Sequence, residues 1–157
     1  MNGFSTPTEE RVVAAALGAR DDVLGLLAEM VACDTTARDP GDPARDEEKL
    51  QRLLSSRLRS IGASSVLWEP EPTGAGSRSL PAGLDFRGRP QHVARLEGAG
   101  GGRSLLLNGH IDAVDPGTRT DWVSDPFRLE VRDGCAYGRG AADMKGGIAA
   151  FVVALEA

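Results

Sequence analysis

Three side chains in the C-terminal third of the sequence have types and spacing suited to metal chemistry. His110 and Asp112 stand one residue apart in Leu105-Leu-Leu-Asn-Gly-His-Ile-Asp-Ala-Val, and residues i and i+2 of an extended chain point to the same side. Asp112 can then accept a hydrogen bond from one imidazole nitrogen of His110 and leave the other free, which is how a carboxylate orients a metal-binding histidine. The same H-x-D spacing equally describes a histidine satisfied by a neighbouring aspartate at a strand end. Asp143 lies in Gly138-Arg-Gly-Ala-Ala-Asp-Met-Lys-Gly-Gly, where a glycine-rich turn presents it at the start of a helix. There it reads either as an N-cap, favoured by the helix dipole and free amide donors, or as a carboxylate ligand. The segment argues against nucleotide binding. A dinucleotide fingerprint needs glycine where Asp143 sits, and a P-loop needs glycine where Met144 sits.

The elements that must position these groups alternate between helix and strand. Apolar residues recur at helical spacing over Thr8 to Gly18 and over Asp21 to Cys33, and both segments read as amphipathic helices. The polar stretch from Asp34 to Pro43 reads as a loop. A third helix spans Ala44 to Ile61, with Leu50, Leu53, Leu54, Leu58 and Ile61 on one stripe and Gly62 placed to cap it. Ser64 to Glu69 is a short strand, and Pro70 to Pro90 is a flexible surface loop. Gln91 to Glu97 alternates as an outer strand, Gly98 to Arg103 is hairpin-type turn material, and Arg103 to Gly109 is a short apolar run that reads as a buried strand. Pro126 to Arg132 and Cys135 to Gly138 flank an Asp133-Gly134 turn. A last helix runs from Asp143 to Glu156 with Met144, Ile148, Phe151, Val152 and Leu155 at helical intervals. This order predicts an α/β layer architecture in which the buried strand hands His110 and Asp112 to its C-terminal end.

Composition narrows the partners. The 157 residues carry 23 acidic and 18 basic side chains, a net charge of −5, with 41% hydrophobic and 26% charged residues. That balance is globular rather than disordered, and it offers no basic footprint for nucleic acid or an anionic membrane. No run of about 18 apolar residues is present to span a bilayer, and the N-terminus lacks the pattern of a signal peptide. Cys33 and Cys135 form no C-x-x-C pair, so the expected setting is a reducing cytoplasm. Both are expected to be small buried or half-buried thiols. His92, with no acidic or cysteine partner nearby in sequence, reads as a surface residue. Trp122 and Phe127 read as core in preference to site walls. For Arg139 two roles stay open, contact with an anionic substrate or anchorage of the glycine turn.

Gly109-His-Ile-Asp-Ala-Val, Asp121-Trp, Asp125-Pro-Phe, Asp133-Gly and Gly138-Arg-Gly-Ala-Ala-Asp-Met-Lys-Gly-Gly occur in one order at one spacing. This combined pattern resembles the dinuclear zinc amidohydrolases that include acetylornithine deacetylase, succinyl-diaminopimelate desuccinylase, aminoacylase and glutamate carboxypeptidase. The resemblance is tight over residues 105–151 and looser from Asp21 to Trp68. It implies a truncated, three-layer zinc-peptidase-like catalytic domain, with a mixed sheet flanked by helices, of which residues 1–157 are the N-terminal portion. It also implies that His110 is a terminal ligand to one metal ion, that Asp112 is the catalytic residue supporting that imidazole, and that Asp143 bridges both ions. The Asp143–Met144 bond is expected to be cis. The cofactors implied for the full-length enzyme are two zinc ions, with cobalt as a replacement. The substrate implied is a small N-acyl amino acid or peptide whose amide bond is hydrolysed, with no nucleic-acid or membrane partner and with a homodimeric full-length form.

Asp115 precedes Pro116 where that family usually has proline sooner. The family's adjacent glutamates, its late histidine and its lid and dimerisation domain have no counterparts before Ala157. The chain alone is therefore expected to hydrolyse amides negligibly and to bind zinc weakly, and Ile148, Phe151, Val152 and Leu155 are expected to lack part of their cover. The competing expectation is a non-catalytic fragment or weak binding module in which His110 and Asp143 are relics.

Overall fold

The computed structural model describes residues 6–37, 39, 41–71 and 85–156. Its core is a layer of three helices. α1 (Pro7–Gly18) precedes them, started by Thr6, whose hydroxyl accepts from the Glu9 amide while the Glu9 carboxylate accepts from the Thr6 amide. It buries none of its residues. α2 (Arg20–Val31) buries Leu26, Leu27, Met30 and Val31, one face at helical spacing. α3 (Glu47–Ser60) adds Leu50 and Leu54, and α4 (Gly146–Glu156) adds Ile148, Ala149, Val152 and Val153. With Cys33 and Ala141 these side chains make one continuous cluster. The expected exposure of the last helix is therefore corrected at two positions. Ile148 and Val152 are buried against α2, Phe151 is half-buried, and Leu155 is exposed.

Two antiparallel hairpins flank this layer. β1 (Ser64–Trp68) pairs with β2 (Gln91–Arg95) in the register Ser64–Arg95 to Trp68–Gln91, and the pair packs on α3. β3 (Glu130–Arg132) and β4 (Cys135–Tyr137) are joined through Asp133 (φ 51°) and Gly134 (φ 79°). Two successive positive φ angles form the type I′ turn that a D-G pair favours. The expected loop between Pro70 and Pro90 lies mostly outside the described residues.

The apolar run from Arg103 to Gly109 departs from expectation. It is not a buried strand: it has no ladder partner among the described residues, Leu105 is 80% exposed and Leu106 is 88% exposed. An apolar run of this kind is covered only when neighbouring strands lie on either side of it, and among the described residues none does. The turn from Gly98 to Arg103 consequently leads into no hairpin. Where the segment does attach is at its far end. The Ala113 amide donates to the Thr35 carbonyl (3.0 Å), the Ala37 amide donates to the Ala113 carbonyl (2.8 Å), and Thr36 and Ala113 form an isolated parallel bridge. No helix among the described residues is long and apolar enough to cross a membrane.

Candidate metal centre

The loop after α2 is the platform for His110 and Asp112. Asp34 organises it, accepting from the Thr36 amide (3.1 Å) and the Thr36 hydroxyl (2.7 Å) and pairing with the Arg45 guanidinium. Thr35, 1% exposed, then donates through Oγ1 to the Ile111 carbonyl at 2.6 Å. That bond and the Thr36–Ala113 bridge clamp the His110–Asp112 segment from behind. Gly109 lets it lie close to α4, because a Cβ there would stand 2.9 Å from Ile148 Cγ1.

Asp143 is brought to the same place by a wide turn, Ala141–Lys145, that precedes α4. Gly140 enters it in the left-handed conformation (φ 80°), Asp143 and Met144 have non-helical dihedrals, and the Asp143–Met144 peptide is cis, as the resemblance implies. The regular helix therefore begins at Gly146, three residues later than expected. Lys145 anchors the turn. Its side chain is 1% exposed, and Nζ donates to the carbonyl oxygens of Met30 and Cys33, both at 2.9 Å. Burial pulls the Lys145 pKa below its ordinary value, opposed by the charges of Cys33, Asp34 and Asp46.

The result is a contact between residues 33 positions apart: His110 Nε2 lies 3.0 Å from Asp143 Oδ1. On the other side of the ring, Nδ1 lies 3.1 Å from the Asp112 carbonyl and 3.1 Å from Asp112 Oδ1. All three side chains are exposed to solvent and line a cavity of about 310 Å³ together with Ala113, Val114, Arg139 and Ala142. Partial desolvation lowers the His110 pKa. The hydrogen bonds to Asp112 and Asp143 and the charges of both aspartates outweigh it, leaving the imidazole above its ordinary value. Asp143 is not an N-cap in this arrangement, because its carboxylate is turned to His110.

Imidazole nitrogen and carboxylate oxygen are donors that zinc takes, so this pair fits a metal ion. Among the described residues no cluster of three or more His, Cys, Asp or Glu side chains is placed to hold one.

Sequence reasoning missed Lys145. The signal was its position on the stripe of Ile148, Ala149 and Val152, at spacings of 3, 4 and 7, which marks an inward-facing lysine. The reading of His92 as a surface residue is corrected. It is half-buried under α3, with Nε2 2.7 Å from Ser65 Oγ, which is itself 2.7 Å from Ser55 Oγ. Cys33 is buried as expected, whereas Cys135 is exposed on β4, and both thiols are free. Trp122 and Phe127 are half-buried.

Residues 106–157 match Peptidase family M20/M25/M40. Over a longer stretch the chain is 64% identical to the succinyl-diaminopimelate desuccinylase of Xanthomonas campestris pv. campestris, across 135 residues that cover 80% of this chain and 28% of that protein. Over these stretches the chain is similar to members of this peptidase family. The desuccinylase of Wolbachia pipientis subsp. Culex pipiens is 62% identical over 52 residues, 33% of this chain and 13% of the relative. The crystal structure of human carnosine dipeptidase 1 superposes with a TM-score of 0.74 at 28% identity, covering 94% of this chain and 30% of that one. A dipeptidase from Saccharomyces cerevisiae shares the fold, with a TM-score of 0.65 at 16% identity. The α/β architecture is thus that of M20 peptidases, and the chain spans less than a third of the length of these relatives.

Proposed function

We propose that His110, Asp112 and Asp143 form part of a two-metal centre that hydrolyses the amide bond of an N-acyl amino acid or small peptide. The observation that carries this reading is the convergence of His110 Nε2 and Asp143 Oδ1 at 3.0 Å with Asp112 Oδ1 on the far ring nitrogen. Similarity to a desuccinylase and to dipeptidases supports an amide as the bond cleaved. Zinc in such a site polarises a carbonyl and lowers the pKa of bound water towards about 7. His110 would hold one ion through Nε2, Asp112 would fix the ring through Nδ1, and Asp143 would offer a carboxylate able to serve two ions. The reducing cytoplasm belongs to the same reading, consistent with two free thiols.

Two ligands fall short of the three or four protein ligands of most zinc sites, so the 157-residue chain should bind zinc weakly and turn over N-acyl amino acids negligibly. Cobalt(II) titration of the purified chain tests the assignment. Visible absorption bands that saturate in the wild type and vanish in His110→Ala and Asp143→Ala are expected. Bands indifferent to both substitutions would remove His110 and Asp143 from the metal site.

A further inference from the structure

Arg139 lines the same cavity as His110, Asp112 and Asp143 and, among the described residues, is the one lysine or arginine that does. Its backbone is held on both sides. The Arg139 amide donates to the Pro126 carbonyl at 2.6 Å, a Cβ on Gly138 would stand 2.8 Å from Val31 Cγ1, and one on the left-handed Gly140 would stand 3.2 Å from Ala113 Cβ. The guanidinium is held too, its central carbon lying 5.0 Å from the centroid of the Trp122 ring. That ring is fixed by a 2.8 Å hydrogen bond from Nε1 to the Pro116 carbonyl. Yet Nε of Arg139 is shielded from solvent and has no hydrogen-bond partner.

The other half-buried arginines among the described residues show what this group ordinarily finds. Arg45 pairs with Asp34, Arg57 with Glu156 and Arg89 with Glu47, and Arg132, stacked on Tyr137 with an Nε that is likewise shielded and lacks a well-directed hydrogen bond, still has the Glu130 carboxylate 3.2 Å away. Arg139 alone among them has no carboxylate. A planar guanidinium stacked on an aromatic face keeps its edge donors free for a carboxylate, which it binds in a bidentate fork. An unsatisfied, shielded donor held rigidly beside a reacting centre is preorganised for a ligand, since little side-chain freedom remains to be lost on binding.

We infer that Arg139 anchors a carboxylate of the substrate next to the His110–Asp143 pair, making it a specificity-determining residue for amides that bear a carboxylate near the scissile bond. This inference rests on the amide-hydrolase reading of the site, but its test is independent of turnover. In a Trp68→Phe background Trp122 is the sole tryptophan, and its emission reports on the guanidinium stacked against it. The chain is titrated with succinate and with succinamide, its neutral counterpart, with and without zinc. Saturable perturbation by succinate in the millimolar range is expected, none by succinamide, a loss of affinity of at least tenfold in Arg139→Gln, and a smaller loss in Arg139→Lys. Equal response to the two compounds, or succinate binding unchanged in Arg139→Gln, would overturn the anchor. If Arg139→Gln unfolds, Arg139→Lys binding succinate as tightly as the wild type would overturn it instead. Cobalt bands that need His110 together with succinate binding indifferent to Arg139 defeat this inference alone. Succinate binding that needs Arg139 in a chain whose cobalt bands ignore His110 defeats the metal reading alone.

Discussion

The Lys145 ammonium is tethered to the carbonyl oxygen of Met30, 115 positions earlier, at 2.9 Å. At Met30 it joins the Cys33 amide as a second donor (3.2 Å), and its second bond satisfies the Cys33 carbonyl just past the end of α2, while its positive charge suits the negative end of that helix. The same tether fixes the residue two places after Asp143. Lys145→Met keeps much of the side-chain volume but leaves the Cys33 carbonyl without its donor in the interior and the Met30 carbonyl with the Cys33 amide alone. It should lower the free energy of unfolding by about 2–4 kcal/mol, measured by urea denaturation. A loss below about 1 kcal/mol would show that water or another donor replaces the ammonium.

Asp112 touches His110 from the side away from Asp143, so its substitution separates orientation from ligation. Asp112→Ala should weaken zinc affinity about 10–100-fold, whereas thermal stability without metal should hardly change because the side chain is exposed. Isothermal titration against the wild type measures the first and calorimetry the second. Unchanged affinity would leave Asp112 without a role in orienting the ring.

The two glycines that follow Lys145 are not equivalent. A Cβ on Gly146 would sit 2.5 Å from the Ala141 carbonyl oxygen, a backbone atom that cannot step aside without moving the turn that carries Asp143. On Gly147 the nearest atom is Met144 Cε at 3.7 Å. Gly146→Ala should therefore cost about 1–3 kcal/mol through overpacking. Gly147→Ala should be neutral or stabilising by up to about 1 kcal/mol through helix propensity. Thermal melts that rank the two variants in the reverse order would contradict the described packing.

His92 provides a pH test. Burial first, and the charge of Arg59 second, hold its pKa below the ordinary 6.5, so the unfolded chain takes up a proton more readily than the folded one. Its contribution to stability is complete above about pH 6.5 and is lost as pH falls from there through the lowered value. His110, raised rather than lowered, runs the opposite way. The informative quantity is accordingly the difference between the wild type and His92→Gln. That difference should change between pH 7.5 and 5, with the wild type losing more stability on acidification. Parallel pH profiles would show that His92 titrates as it does in water.

Leu105 and Leu106 expose most of their surface on a segment with no strand beside it among the described residues. Open strand edges and contiguous apolar patches promote association. Sedimentation should show self-association of the chain at high concentration, relieved by Leu106→Lys. A compact monomer at all concentrations would refute this.

What could be read from the amino acids follows from where each signal resides. The helix over Glu47–Ser60 was readable because its leucine stripe is local, and so was the hairpin around Asp133-Gly134, whose turn needs only two residues. The positions of His110, Asp112 and Asp143 were readable because a multi-part motif constrains them jointly. The burial of Leu105 and Leu106 was not, since cover depends on strands elsewhere in a chain rather than on the run itself. His92 was misplaced because its partners, Ser55 and Ser65, are hydroxyls that carry no charge signature at a distance in sequence. Lys145 was overlooked for a related reason. Lysine is almost never buried, and its partners here are backbone carbonyls, which every residue possesses.

The attachments around His110 and Asp143 also set a timetable. Thr35 reaches Ile111 across 76 positions, and Lys145 reaches Cys33 and Met30 across 112 and 115. Long loops must close before such contacts reward the chain, and contacts distant in sequence form slowly. α2 and α3 are complete by Ser60, so on a ribosome they are already synthesised while the last support of the pocket, Lys145, is still unmade. The cavity is thus a late product of synthesis, closed from the back when a single ammonium finds the C-terminal end of a helix made more than a hundred residues before it.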